Sequence, residues 1–302
     1  MAGVCEGPAR IVVMHTPFCG TRMIDMFVED PVAEGRAMER KDVWAAGDLY
    51  EPYVGRWSRL VAREFLDWLS RPTNEDWLDV GCGTGALTRV IIDTTQPRTV
   101  TGIDPSAEFV SYSQEQIAGP GVSFKVGDAR WLPVDASSVD VAVAGLVLNF
   151  VPDPSQAVAE MTRAVRAKGV VAAYVWDYAG KMEMMRYFWD AAGSLDPAAL
   201  DFDEGRRFPI CAPAPLLELF ESAGLRSIDV RPIDVLMRFR DFDDYWRPFL
   251  GGQGPAPGYA MSLTEDRRNV LRDRIHGHLP VLKDGSIELT ARAWAVAGRV
   301  SS

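Results

Sequence analysis

Short apolar runs alternate with segments of helical periodicity through the middle of the chain. The apolar runs with the length and composition of buried strands are 77–80, 99–103, 122–126, 139–146 and 170–176. The helical patterns between and around them cover Trp57–Leu69, a segment from Ala86, one with Pro105 in its first turn, and one from the N-cap Asp153 to Lys168–Gly169. Strands and helices that alternate five times form βαβ units, so the pattern predicts an α/β fold with a parallel sheet.

The alternation stops after Trp176. The remaining predicted elements are one helix and two strands, over Leu216–Ala223, Leu225–Leu236 and Ile287–Val296. Two intervening segments, about 178–212 and 241–287, are rich in methionine and aromatic residues. Because open α/β sheets bind ligands at the carboxyl ends of their strands, we predict that both segments form a helical cap there. Gly251–Gly258, with four glycines and two prolines, is expected to be neither helix nor strand, and to act as a hinge or as a surface connector.

The predicted domain organisation has three parts. Residues 1–40 show poor periodicity and are expected to be a poorly ordered extension, and Met38 is a candidate for the true start. Residues 41–177 contain the strand and helix alternation, and 178–302 complete the fold with the insertions. No stretch reaches 18 apolar residues, no signal peptide is recognisable, and the four cysteines form no C-x-x-C pair. These features favour a cytoplasmic protein without a metal site.

The charge balance bears on possible partners. The chain has 32 Lys and Arg against 42 Asp and Glu, a formal net charge of −10. An excess of negative charge repels phosphate backbones and anionic lipids, so we expect neither nucleic acid nor a membrane surface as a partner. The sequence makes no prediction about the oligomeric state.

A glycine-rich turn follows the first predicted strand, in the run Leu78-Asp79-Val80-Gly81-Cys82-Gly83-Thr84-Gly85. Glycines at a strand-to-helix turn let a ligand lie against bare backbone. Asp104, 23 residues after Gly81, ends the second strand, where a carboxylate can accept hydrogen bonds from a ribose diol. Asp128 ends the third strand after a further 24 residues, where it can meet an adenine amine. Asp79 would repel a pyrophosphate but suits a positively charged ligand.

These pieces resemble the class I S-adenosylmethionine-dependent methyltransferases, and the resemblance covers about residues 50–177. The matching segments are Leu78–Gly85, Gly102-Ile103-Asp104-Pro105-Ser106, Val126-Gly127-Asp128-Ala129, the strand over 139–148 and Gly169–Trp176. The run from Tyr50 to Ser58 and the ending Ala293-Trp294-Ala295-Val296 resemble one bacterial branch of small-molecule enzymes. The resemblance implies a Rossmann-like sheet of seven strands in the order 3-2-1-4-5-7-6, with strand 7 antiparallel, and S-adenosylmethionine as cofactor.

The resemblance also assigns roles to individual residues. It implies that the glycine loop binds the methionine half of the cofactor, that an acid binds the ribose, that an acid and its neighbour lie beside adenine, and that backbone after strand four closes the pocket. In this sequence those positions are Gly81, Gly83 and Gly85, then Asp104, then Asp128 with Ala129, then Gly145 with Leu146. Tyr50 and Arg56 are expected at the carboxylate of the cofactor, and Asp79 belongs to the same cofactor site.

The function predicted from these observations is methyl transfer to a small, partly apolar acceptor. Asp177 and Tyr178, directly after the fifth strand, are candidates for the acceptor side, and the catalytic groups themselves are not identified. Two alternatives stay open: a protein that binds S-adenosylmethionine without catalysis, and a nicotinamide-dependent oxidoreductase on a similar sheet. A nucleic-acid methyltransferase is disfavoured, since the region after strand four lacks an Asn/Asp-Pro-Pro-aromatic motif and the chain has no Pro-Cys pair.

Overall fold

The computed structural model of the protein describes residues 55–252 and 254–301. The predictions for residues 1–40, for Met38 and for Tyr50 therefore lie outside the described residues.

The described chain forms a sheet flanked by helices. Its strands are β1 (Asp76–Val80), β2 (Thr99–Asp104), β3 (Val122–Val126), β4 (Val139–Gly145), β5 (Val165–Trp176), β6 (Arg226–Phe239) and β7 (Ile287–Arg299). Its helices are α1 (Arg56–Leu69), α2 (Ala86–Thr95), α3 (Ala107–Gln116), α4 (Pro154–Ala164), α5 (Glu183–Leu195), α6 (Glu204–Arg207), α7 (Pro213–Ser222), α8 (Phe242–Trp246), α9 (Pro255–Ser262) and α10 (Glu265–His276). Short 3₁₀ turns cover Leu148–Phe150, Pro197–Asp201 and Arg247–Gly251.

The strand order is β3-β2-β1-β4-β5-β7-β6. The pairs from β3 to β5 are parallel, whereas β7 runs antiparallel to both of its neighbours. This confirms the predicted α/β class, strand order and strand direction. All five residues of β1 are buried and every residue from Val170 to Trp176 is buried, as expected for strands covered by helices on both faces.

Both insertions leave the sheet at the same end. The first begins after Trp176, the last residue of β5, which pairs with Ala293 of β7. The second insertion connects Phe239 of β6 to Ile287 of β7. These two residues pair with each other at the end of β7 that lies past the carboxyl end of β5. The insertions also pack together: the rings of Phe188 and Phe249 stack with centroids 4.6 Å apart. The two segments thus form one layer of helices at the carboxyl end of β5.

Local predictions were wrong at two helix ends. The helix after β2 has Ser106 as its N-cap, so Pro105 lies before the first turn and not in it. The helix after β4 ends at Ala164 instead of Lys168–Gly169, because Val165 already pairs with Val139 at the start of β5. Lys168 has φ 67° inside β5, next to the register shift between β4 and β5, so positive φ here marks a bulge and not a helix end.

The glycine-rich stretch Gly251–Gly258 was also predicted incorrectly, because α9 begins inside it at Pro255. Prolines fit the first turn of a helix, where a backbone N–H would have no partner inside the helix. Ala256 and Ala260 of α9 are completely buried, so packing against the other insertion compensates for weak helical propensity. Among the described helices, none is both long enough and apolar enough to cross a membrane.

Candidate functional site

A cavity of about 320 Å³ opens at the carboxyl ends of β1, β2, β4 and β5. The lining residues that the sequence predicted are Asp79, Gly81, Gly83, Asp104, Gly145, Leu146 and Tyr178. In a parallel sheet these strand ends meet at one edge, so residues more than 90 positions apart in sequence share one wall. The structure therefore brings together most of the predicted site.

The three glycines of the first turn have different functions. All have positive φ, a conformation that L side chains rarely adopt. A Cβ on Gly81 would lie 2.4 Å from Val147 Cγ2, and one on Gly85 would lie 2.3 Å from Ile117 Cδ1. A Cβ on Gly83 would meet nothing within 4 Å. Gly81 and Gly85 thus permit close packing, whereas the bare backbone at Gly83 faces open space that a ligand can fill.

Asp104 is fixed at the end of β2 by two backbone donors. The N–H of Gly83 donates to Oδ2 and that of Ser106 donates to Oδ1, both at 2.9 Å. Burial raises the pKa of the Asp104 carboxyl, although these two hydrogen bonds oppose the shift. Each carboxylate oxygen has a second lone pair, so the pair can still accept hydrogen bonds from a diol. The carboxylate therefore orients the glycine turn and lines the cavity at the same time.

Asp79 lies in β1 and is almost completely buried. Its Oδ2 accepts a hydrogen bond from the Thr88 hydroxyl at 2.6 Å, whereas Oδ1 is buried and has no partner. Burial raises the pKa of Asp79 to about 7, with a further increase from the charge of Asp104 and an opposing contribution from Thr88. A buried carboxylate oxygen without a donor is costly. A ligand cation or N–H donor in the cavity would relieve that cost.

Gly145 and Leu146 form the opposite wall at the end of β4. A Cβ on Gly145 would lie 2.6 Å from the Tyr174 hydroxyl, so the strand needs glycine there. Leu146 has φ 60°, an uncommon conformation for a residue with a side chain, and its N–H donates to the Tyr174 carbonyl at 2.8 Å. The backbone at this point is thus held in one arrangement beside the cavity.

Asp128 and Ala129 follow β3 but are not among the residues that line the cavity. The Asp128 carboxylate accepts hydrogen bonds from the backbone and the guanidinium of Arg130, and the Arg130 interaction lowers its pKa. Ala129 is buried. Their assignment to adenine stays a prediction, since Asp128 is engaged with its own neighbour.

Arg56 also lies away from the cavity lining. Its Nη1 is 3.3 Å from Asp244 Oδ1 in α8, and its guanidinium lies over the rings of Trp57 and Phe239. Its Nε and Nη2 are buried and have no hydrogen-bond partner. The structure thus gives Arg56 a contact with the second insertion that the sequence did not predict.

The two acceptor-side candidates differ in orientation. Tyr178 is buried and lines the cavity. The Asp177 carboxylate instead accepts the N–H of Lys181 at 3.0 Å and lies within the turn after β5. Sequence reasoning missed further lining residues, namely Ser58, Phe109, Phe150, Tyr174 and Trp176. The alternation of β5 could have identified Tyr174 and Trp176, which point to the same face as each other.

The cavity therefore has one polar side and one aromatic side. Asp79, Asp104 and the Gly83 backbone suit a ligand that carries a positive group and a diol. Phe150, Tyr174, Trp176 and Tyr178 suit a flat or apolar group. Among residues 55–252 and 254–301, no group of three or more His, Cys, Asp and Glu side chains could hold a metal ion.

The middle of the chain matches known sequences. A family model described as a methyltransferase domain matches residues 78–173. An uncharacterised 37.1 kDa protein in transposon TN4556 of Streptomyces fradiae is 36% identical over 116 residues, which are 37% of this chain and 34% of that protein. A malonyl-[acyl-carrier protein] O-methyltransferase of Pectobacterium atrosepticum is 36% identical over 95 residues, 32% of this chain and 36% of that enzyme. The chain thus spans about a third of the length of these curated relatives.

A solved structure resembles a larger part of the chain. The crystal structure of a protein from Bacillus halodurans, described as a putative methyltransferase, superposes with a TM-score of 0.55. The match covers 80% of this chain and 99% of that one, at 13% sequence identity. The likeness at this identity concerns the fold, and it extends beyond residues 78–173 that the family model matches.

Proposed function

We propose that this protein, whose residues 78–173 belong to the methyltransferase-domain family, transfers the methyl group of S-adenosylmethionine to a small, partly apolar acceptor. The observation that carries the proposal is the pair of buried carboxyls, Asp79 and Asp104, which line the cavity without a positively charged partner. Asp79 Oδ1 has no donor at all. S-adenosylmethionine has an ammonium, a sulfonium and a ribose diol, and it has no phosphate that Asp79 would repel.

The described residues fit this cofactor. Asp79 would accept the ammonium group, Asp104 would accept the ribose hydroxyls, and the bare backbone at Gly83 would lie against the ligand. The cofactor supplies a methyl group already activated by its positive sulfur. The protein then has to bind, align and shield the two reactants, which can account for much of the rate enhancement.

The acceptor side is built from aromatic residues. Phe150 packs edge-on against Phe208 of the first insertion, with ring centroids 5.2 Å apart, and Tyr178 lies beside the same ring. These contacts connect the cavity wall to the insertion, which supports its role as part of the acceptor site. An apolar wall of this kind excludes water and favours an acceptor with an apolar surface.

The other predictions about partners are part of the proposal. We propose a small-molecule acceptor and no nucleic-acid or membrane partner, which the net charge of −10 supports. We also propose a cytoplasmic location, which the four scattered cysteines without a C-x-x-C pair support. A nicotinamide-dependent oxidoreductase fits the site less well, because the buried Asp79 would oppose a pyrophosphate, whereas Asp104 suits the ribose of either cofactor. A protein that binds S-adenosylmethionine without catalysis would have the same polar wall. Measurement of methyl transfer therefore distinguishes that alternative from a methyltransferase.

Binding of S-adenosylhomocysteine tests the proposal directly. We expect the Asp104→Ala variant to bind it about 10- to 100-fold more weakly in calorimetry, the effect of losing hydrogen bonds to a charged group. Asp135→Ala, a change of an exposed acid, serves as the control and should bind as the original protein does. Unchanged affinity in Asp104→Ala would remove the basis for the cofactor site. Binding without methyl transfer to any member of a broad panel of hydroxylated aromatic compounds and organic acids would favour the non-catalytic alternative.

A further inference from the structure

A buried serine of α3 contacts the glycine-rich turn beside the cavity. Ser113 is completely buried, and its hydroxyl donates to the Gly83 carbonyl at 2.8 Å. The two residues are 30 positions apart in sequence. A buried hydroxyl without a hydrogen bond is unfavourable. The Ser113 side chain therefore depends on the glycine-rich turn for its partner.

Two threonines show the more common pairing of a hydroxyl in a helix. Thr95 in α2 and Thr162 in α4 each donate to the carbonyl four residues earlier in the same helix, both at 2.8 Å. Ser113 donates to a carbonyl outside α3 instead. Its hydrogen bond therefore connects α3 to the turn and does not support α3 itself.

Gly83 is held through both its N–H and its carbonyl. The N–H donates to Asp104 Oδ2 at 2.9 Å, while the carbonyl accepts the Ser113 hydroxyl. Asp104 Oδ1 accepts the N–H of Ser106, which is the N-cap of α3, at 2.9 Å. These three hydrogen bonds and helix α3 form a closed ring, so the orientation of Gly83 is fixed from two directions.

Gly83 needs this support because neither its residue type nor its packing fixes its conformation. Its φ is 52°, and glycine adopts positive and negative φ about equally readily. A Cβ at Gly83 would meet nothing within 4 Å, whereas one at Gly85 would lie 2.3 Å from Ile117 Cδ1. Close packing against α3 thus restrains Gly85, and the hydrogen bonds of the ring supply the restraint at Gly83.

We propose that Ser113 is a positioning residue of the cofactor site. Its hydroxyl keeps the Gly83 carbonyl directed at α3, which preserves the Gly83 N–H for Asp104 and leaves the bare backbone open for the cofactor. Ser113 acts through Gly83, since it is not among the described residues that line the cavity. The inference rests on the proposed function, because the ligand concerned is S-adenosylmethionine. A turn that is already ordered lowers the cost of binding, since the ligand does not have to order it.

Calorimetry with S-adenosylhomocysteine provides the first test. Ser113→Ala removes only the hydroxyl, and we expect affinity to fall about 2- to 10-fold, the contribution of one hydrogen bond. Thr95→Val is the matched control, because the Thr95 hydroxyl is also buried and donates at the same 2.8 Å, but within α2. Thr95→Val should bind as the original protein does, although urea unfolding should show a similar loss of stability in both variants.

A signal from Gly83 itself distinguishes positioning from general destabilisation. The chain has two Cys-Gly pairs, Cys19-Gly20 and Cys82-Gly83. Labelling cysteine carbonyls with ¹³C and glycine nitrogens with ¹⁵N therefore selects two amide signals in an NMR spectrum, and Gly20→Ala identifies the one from Gly83. Without ligand, we expect the Gly83 amide hydrogen to exchange about 2- to 10-fold faster in Ser113→Ala than in the original protein. In Thr95→Val it should exchange at the original rate.

Three results would overturn the proposal. The first is equal affinity of Ser113→Ala and the original protein for S-adenosylhomocysteine. The second is a fall in affinity of the same size in Thr95→Val, and the third is an unchanged exchange rate of Gly83 in Ser113→Ala. Failure of the original protein to bind S-adenosylhomocysteine would contradict the proposed function itself, which distinguishes the two failures.

Discussion

The two ends of β1 carry buried aspartates with opposite electrostatic surroundings. At the amino end, Asp76 accepts hydrogen bonds from Arg98, Thr99 and Arg166, and chiefly the Arg98 interaction holds the pKa of its carboxyl well below the usual range. At the carboxyl end, Asp79 has Thr88 and no cation, and burial raises its pKa to about 7. Asp76 and Asp79 are only three positions apart on one strand. The surroundings stabilise the charged form of Asp76 and destabilise the charged form of Asp79.

This difference distinguishes acids whose ion pairs support the fold from acids that are available to bind a ligand. Asp140 joins Asp76 in the network with Arg98 and Arg166, which connects β1, β2, β4 and β5 on the side away from the cavity. Asp79 and Asp104 instead lie on the same cavity wall, where the charge of Asp104 disfavours the ionised form of Asp79. Neither acid has a positively charged partner that would offset the cost of burying its charge, so their presence at one edge points to function.

The largest expected effect concerns Asp79 and its pH dependence. Its pKa is 3.8 when unperturbed and about 7 in the folded protein, so the folded state binds more protons between these values. Asp79 therefore lowers the free energy of unfolding progressively as pH rises from about 4 to 7, by up to about 4 kcal/mol. Asp79→Asn keeps an acceptor for Thr88 without the charge. Urea unfolding should show the variant more stable than the original protein at pH 8 by about 2 to 4 kcal/mol, and equally stable near pH 4. An identical difference at both pH values would contradict this account.

Asp76→Asn should act in the opposite direction. The lowered pKa of Asp76 means that its contribution to stability is present above the ordinary pKa of 3.8 and is lost as pH falls below it. Removing the charge leaves Arg98 and Arg166 with Asp140 alone, and both arginines are partly exposed, so the expected loss at pH 7 is about 2 kcal/mol. Urea unfolding at pH 7 measures it, with Asp135→Asn as a control on an exposed acid. A gain in stability would show that the network is not favourable.

The sequence was sufficient to predict the polar side of the site. Asp79 lies in β1, Gly81 and Gly83 lie in the turn that follows, and Asp104 ends β2. Their spacing follows the repeat of strand and helix, and the structure places all four on the cavity wall. The strand order was predicted from the family resemblance and is confirmed. Such features depend on short segments, and short segments are where residue type determines backbone conformation most directly.

Features that depend on distant contacts were not predicted. The pairing of Arg56 with Asp244 needs the second insertion to fold back onto α1. Helix α9 forms in a stretch of glycine and proline because burial of Ala256 and Ala260 overrides local propensity. Gly169 was predicted to end a helix. In the structure it avoids a clash instead, because a Cβ there would lie 2.5 Å from the Asp140 carbonyl oxygen. In each case the same local signal fits two structures, and tertiary packing selects one.

The raised pKa of Asp79 also predicts how cofactor affinity varies with pH. If the cofactor ammonium binds the ionised carboxylate, affinity follows the ionised fraction of a group with pKa about 7. Calorimetry with S-adenosylhomocysteine should then show roughly tenfold tighter binding at pH 8 than at pH 6. Asp79→Asn should bind more weakly and lose this dependence over the same range. If the affinity of Asp79→Asn depends on pH as strongly as that of the original protein, a group other than Asp79 causes the pH dependence.

The smallest expected effects come from a matched pair of threonines, each of which donates its hydroxyl to one of the two aspartates. Thr88 donates to Asp79 at 2.6 Å, and Thr99 donates to Asp76 at 2.8 Å. Valine has the same shape without the donor, so Thr88→Val leaves the ionised Asp79 with neither of its oxygens bound to a side chain. Thr99→Val leaves Asp76 with Arg98 and Arg166. We expect Thr88→Val to cost about 1 kcal/mol more at pH 8 than at pH 5, because only the charged acid needs the donor strongly, and Thr99→Val to cost about 0.5 kcal/mol at both. Urea unfolding of the two variants at these pH values measures the difference. If the two substitutions cost the same at pH 8, the contrast between the ends of β1 does not arise from the donors around each acid.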